Sequence, residues 1–102
     1  MYIEFKTGSL EKCYEGRRKA EAEWGKTIAR KYVQTVNLLK AVNHPSDLAA
    51  FPQFNYKRLR GDRKGQHSLK LGRRARLIFT VRRSGGVRIA RIEEVSTTHY
   101  EH

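Results

Sequence analysis

The apolar residues of this chain change period once, and the change falls at Asn43-His44-Pro45. Before that point they recur at three- and four-residue intervals; after it they alternate. Helices first and strands second predict an α+β fold, with the N-terminal helices packed on one face of a twisted antiparallel β-sheet. At 102 residues the chain fits a single domain, residues 1–102, with one modest core.

In the first half Ile28, Tyr32, Val36 and Leu39, widened by Val33, form one apolar stripe, so residues 26–42 are the clearest helix. Pro45 ends it, because its ring disfavours helical backbone in the residue before it. Upstream, Ser9 is the expected N-cap of a helix carrying Leu10, Cys13 and Tyr14, and Gly16 is expected to interrupt it. The charged, alanine-containing stretch 17–24 is also expected to be helical. Trp24 and Tyr32 read as core. Residues 2–5 form a short strand, with Ile3 and Phe5 on one face. Ser46 and Asp47 cap a short turn through Ala50.

The second half reads as strands over 56–59, 66–71, 75–81 and 87–95. Leu69 and Leu71 share one face; Ser68 and Lys70 share the other. Ala75, Leu77, Phe79 and Val81 point inward and Arg76 outward. Ser84-Gly85-Gly86 is a hairpin turn. The apolar parity shifts between Ile89 and Ile92, which predicts a bulge near Ala90-Arg91. Lys70, Arg76 and Arg88 are then expected to line the face away from the helices.

Charge narrows the function. The net charge is +12, and residues 51–102 hold 13 basic against 4 acidic groups, compared with 9 against 6 in residues 1–50. Such a field selects an anionic partner. Nucleic acid is favoured over a membrane surface, because the cations lie on predicted strands and not on an amphipathic helix. No run is long enough for a membrane span, and residues 1–6 lack the pattern of a signal peptide. A lone Cys13 points to a reducing compartment, hence the cytoplasm. Zinc-ligand spacing, a Walker loop ending and a Gly-x-Ser-x-Gly elbow are all missing from the sequence, so no metal or cofactor is expected.

The densest cations sit in Leu59-Arg60-Gly61-Asp62-Arg63-Lys64-Gly65, a glycine-bracketed turn that runs into a strand and then into Ala75-Arg76-Leu77-Ile78-Phe79. These two pieces resemble the HigB branch of the RelE/ParE toxin superfamily, known in part as plasmid maintenance killer proteins. The hallmark there is a Leu-Lys-Gly-Asp-Arg-Lys-Gly turn followed by a strand and Trp-Arg-Leu/Ile-x-Phe. Phe5 through Leu10-Glu11-Lys12 to Tyr14 resembles the family's opening strand and helix. The resemblance implies a small α+β toxin of a type II toxin–antitoxin system. It also implies a ribosome-dependent endoribonuclease acting on mRNA without a cofactor, and a separate HigA-like antitoxin with a helix-turn-helix domain.

Cleavage through the ribose 2′-hydroxyl needs a base, cations around the phosphorane-like charge and an acid for the leaving 5′-oxygen. Candidates for these roles are Lys70, Arg76, His99, Tyr100, Lys57 and His67, with His67 also fitting a core or strand-end histidine. Arg58, Arg60, Arg63, Lys64, Arg73, Arg74 and Arg88 are candidates for binding mRNA or ribosomal RNA. The family's terminal Asp-Tyr-His is altered: Thr97 and Thr98 precede His99, and Tyr100 follows it. Lys57 falls near the position of a family histidine. Two alternatives remain at this stage: a ParE-like gyrase poison, and a non-catalytic RNA-binding module.

Overall fold

The computed structural model describes residues 1–97. Its elements run β1 (Tyr2–Phe5), α1 (Gly8–Glu15), α2 (Arg17–Ala41), β2 (Lys57–Arg58), β3 (His67–Lys70), β4 (Arg76–Ser84) and β5 (Val87–Ser96). Three short 3-10 segments, Pro45–Ala50, Pro52–Phe54 and Gly61–Arg63, fill the middle of the chain.

Thr7, not Ser9, caps α1: its side chain accepts from the Leu10 N–H at 3.2 Å. Only a residue in extended backbone can present its oxygen to that orphan amide, and Ser9 is already inside the helix. Gly16 breaks the helix as expected, ending α1 and opening α2. A second break falls within α2 at Gly25, whose backbone (φ 82°) suits glycine. The two helical pieces therefore coincide with the two stretches read from the sequence. The fully buried Tyr32 anchors α2 to α1 by donating to the Leu10 carbonyl at 2.7 Å, and burial pushes its hydroxyl pKa well up. Trp24 lies 4.7 Å from its ring.

The five strands form one sheet in the order β1-β5-β4-β3-β2. It is mixed, not wholly antiparallel, since β1 runs parallel to β5 (Tyr2↔Ile89, Phe5↔Ile92). The two helices between β1 and the remaining strands form the crossover that a parallel pairing requires. The long hairpin β4–β5 turns at Gly85-Gly86. Its bulge lies at Glu93 and not near Ala90-Arg91: Ile78 pairs with Glu94 while Phe79 pairs with Ile92. The extra residue sits where Glu93 accepts from Thr80 Oγ1 at 2.9 Å.

Register assigns the faces. Leu77, Phe79, Ala90 and Ile92 meet Leu10, Tyr32, Val36 and Leu39 in the core. The opposite face carries Ser68, Lys70, Arg76, Thr80 and Glu94. No helix among the described residues is long and apolar enough to cross a membrane.

Candidate nucleic-acid interface

The face away from the helices is divided electrically. Along β1 and β5 its cations are neutralised: Arg82 donates to both oxygens of Glu4 at 2.7 and 3.0 Å, Arg91 Nε lies 3.5 Å from Glu4, and Lys6 Nζ lies 3.8 Å from Glu93. The Arg82 hydrogen bonds hold the Glu4 carboxyl below the usual range. Along β2, β3 and the adjoining turns the balance is different. Lys57, Arg60, Lys64, Lys70, Arg73 and Arg74 are exposed, and none has a carboxylate in ion-pair range among the described residues; Arg58 is exposed in the same way but pairs with His67, on the helix side.

Arg76 sits at the centre of this second half. It occupies the first position of β4, paired with Lys70 on β3 and Ser96 on β5. The alternation places it correctly on the face away from the helices, yet only 6% of the residue is exposed. Two neighbours enclose it. Nε donates to Ser68 Oγ at 2.9 Å, and Nη2 donates to the Asn55 carbonyl at 2.8 Å. Nη1 has no acceptor among the described residues. A guanidinium held by two neutral acceptors, with no carboxylate in ion-pair range among the described residues, is a buried cation without a bonded counter-ion there.

Lys57 pairs with Ser68, which places it on the same face as Arg76. The structure thus brings Lys57, Lys70 and Arg76 together. Lys57, Arg58, Arg60 and Lys64 also rim a cleft of about 570 Å³ along the Gly61–Gly65 turn. Gly61 (φ 65°) and Gly65 (φ 91°) both take left-handed backbone, so the bracketing glycines set the turn's shape.

Other candidates fall elsewhere. His67 lies on the helix-side face, between Phe79 (ring centroids 5.0 Å) and Tyr56 (5.8 Å), with Nδ1 2.7 Å from the Tyr56 hydroxyl. Burial, with help from the Arg58 charge, pushes its pKa below the ordinary histidine value. This is the core or strand-end histidine, on the opposite side of the sheet from Arg76. Arg88 pairs with Arg83 near the hairpin tip and reaches the Asn43 carbonyl at 3.4 Å. Arg83 stands seven positions, an odd number, from Arg76 along β4, so Arg88 falls on the helix side of the sheet, roughly 20 Å away at strand rise, and does not line this face. Arg63 is engaged by Glu94 at 2.8 Å and by Gln66 at 3.0 Å, which braces the turn against β5. His99 and Tyr100 lie outside the described residues.

Sequence reasoning did not single out Ser68, Asn55 or Tyr56. Ser68 had a usable signal, since it shares strand parity with Lys70. Asn55 had a weaker one: asparagine is among the few residues that tolerate left-handed backbone, which it adopts here (φ 45°).

No protein-family profile and no curated protein matches the chain. Solved structures do. A YoeB/ParE toxin from Agrobacterium tumefaciens is 23% identical, with 98% of this chain and 100% of that chain covered and a TM-score of 0.57. YafQ from E. coli strain BL21(DE3) is 17% identical, with 93% and 90% covered and a TM-score of 0.61. A chain of a heterotetrameric YoeB-YefM toxin-antitoxin complex from Staphylococcus aureus is 20% identical, with 98% of each chain covered and a TM-score of 0.57. The fold is therefore the α+β fold of RelE-like toxins.

Proposed function

We propose that this protein is the HigB-like toxin of a type II toxin–antitoxin pair, and that it cuts mRNA in the cytoplasm on the translating ribosome. The observation that carries this reading is the buried Arg76 guanidinium, fixed by Ser68 and Asn55 and with no carboxylate in ion-pair range among the described residues. A cation stored in this way is set up for a phosphate.

The chemistry follows from the placement. The scissile phosphate sits against Arg76 Nη1, with Lys70 and Lys57 beside it. The ribose 2′-oxygen attacks phosphorus and gives its proton to a base. Negative charge then grows on the non-bridging oxygens, where the fixed cations stabilise it most. The bond to the 5′-oxygen breaks as an acid protonates it, leaving a 2′,3′-cyclic phosphate and a 5′-hydroxyl. His99 and Tyr100 are the proposed acid–base groups. The glycine-bracketed turn and the exposed Arg58, Arg60, Lys64, Arg73 and Arg74 hold flanking RNA and rRNA phosphate. A site this rich in cations and this sparse in general acids gains from a partner that orients the message in line, which is the reason for ribosome dependence. The antitoxin is a separate, HigA-like chain; a YoeB toxin of this fold is held by the antitoxin YefM.

The test is a reconstituted translation reaction with purified protein, the message then mapped by primer extension. Cuts that require ribosomes are expected. An intact message would exclude the nuclease. Inhibition of gyrase supercoiling by the same preparation would then identify a gyrase poison, and binding without either effect an RNA-binding module.

A further inference from the structure

We infer that Tyr56 is a positioning residue for Arg76, acting across the sheet through His67 and through the backbone of Asn55. The inference rests on Arg76 being the phosphate-binding group.

Three contacts make the connection. The Tyr56 hydroxyl and His67 Nδ1 share a 2.7 Å hydrogen bond, and their rings stack with 18° between planes. His67 stacks in turn on Phe79, also at 18°, and Phe79 is fully buried. The start of β2 is thereby clamped to the core face of the sheet. The residue before Tyr56 is Asn55, whose left-handed backbone follows the 3-10 segment Pro52–Phe54, with its N–H bonded to the Pro52 carbonyl at 3.0 Å. The Asn55 carbonyl is thus fixed from both sides, and it is this carbonyl that accepts from Arg76 Nη2 at 2.8 Å.

His67 and Ser68 divide the work between the two faces of β3. His67, on the helix side, holds Tyr56; Ser68, on the other side, holds Arg76 Nε at 2.9 Å. The two hydrogen bonds that orient the guanidinium come from elements that this one dipeptide ties together. Register in β2 cannot supply the same rigidity, because that strand has only two residues, Lys57 and Arg58, and both are exposed.

Tyr56→Phe tests the connection, since it keeps the ring and removes the hydroxyl. In single-turnover cleavage on ribosomes the variant is expected to lose between about tenfold and a hundredfold in kcat, the range for a small misplacement of a reacting group, with KM unchanged. The loss is expected to vanish in an Arg76→Ala background, because a residue that acts through Arg76 has nothing left to position. Independently of activity, the Arg76 Nε–H in 15N-labelled protein is expected to exchange with solvent faster in Tyr56→Phe, measured well below the melting transition of both proteins. An equal kcat loss in both backgrounds, or unchanged kcat with unchanged Nε–H exchange, would overturn the inference. If the parent cuts no RNA, the nuclease reading has failed, and Nε–H exchange alone decides whether Tyr56 positions Arg76.

Discussion

Replacing Arg76 with methionine separates a functional guanidinium from a structural one. Arg76 is 6% exposed and makes two hydrogen bonds, to Ser68 Oγ and the Asn55 carbonyl. Charge-assisted bonds of this kind contribute about 1.5–3 kcal/mol each. Against them stands the desolvation of an uncompensated charge, several kcal/mol in real proteins. Methionine fills a similar volume, leaves the Asn55 carbonyl to water and orphans only Ser68 Oγ. The opposing contributions nearly cancel, so Arg76→Met is expected to lie within about 1 kcal/mol of the parent, a shift in Tm of no more than roughly 8 °C for a domain of this size. Ligand linkage then distinguishes the two proteins. A short single-stranded RNA at a hundred times its Kd stabilises the parent by about 2.7 kcal/mol, whereas the same RNA concentration stabilises the variant much less. Calorimetry with and without RNA, at fixed low salt, reads both quantities. A variant that loses 3 kcal/mol or more (on the order of both hydrogen bonds) and keeps the full RNA-induced rise would refute the reasoning. Arg76 would then be a strut, with phosphate bound elsewhere.

Three further outcomes follow from the geometry. Because burial holds the His67 pKa below 6.5, the unfolded chain binds that proton first as pH falls; the stability due to neutral His67 is complete above 6.5 and is lost as pH falls through the folded value. Urea unfolding between pH 7.5 and pH 5 should therefore show a steeper decline in the parent than in His67→Phe, a range set by the ordinary histidine value of about 6.5; equal slopes would contradict the assignment. Gly65→Val places a branched side chain at φ 91° and should cost about 1–2 kcal/mol in thermal unfolding. Lys57→Ala and Lys70→Ala, both exposed, should each reduce the slope of log K for RNA against log salt by about 0.7, leaving Tm unchanged; a slope that does not move would remove that lysine from the interface.

Local pattern and long-range closure were unequally legible in the sequence. Period placed both helices and the parity of β3 and β4, and glycine placed the interruption at Gly16 and the hairpin at Gly85-Gly86, because each depends on residues within a few positions of one another. The parallel seat of β1 beside β5 was not legible: Ile3 and Phe5 show which face is apolar but not which strand lies beside them. The bulge was placed near Ala90-Arg91 from apolar parity, whereas a polar pair, Thr80 with Glu93, marks its position. For the site, alternation told which side Arg76 faces but not what covers it. The cover comes from Asn55, 21 residues earlier in the chain, through a left-handed turn. Arg63 reads as one more cation of the turn until Glu94 arrives from 31 residues away to hold it. The cationic character of the interface was plain in the composition, while its division into a neutralised half and an uncompensated half depended on where the few carboxylates landed.

The central claim is that a buried arginine held only by neutral acceptors among the described residues binds the scissile phosphate of a nuclease, and expression in a bacterium tests it most directly. Parent and Arg76→Met are induced to equal levels and abundant messages are mapped by primer extension. The account predicts growth arrest with cuts in frame with the codons in the parent, and intact messages in the variant. Arrest without cuts in the parent, or the same cuts in Arg76→Met, would contradict it.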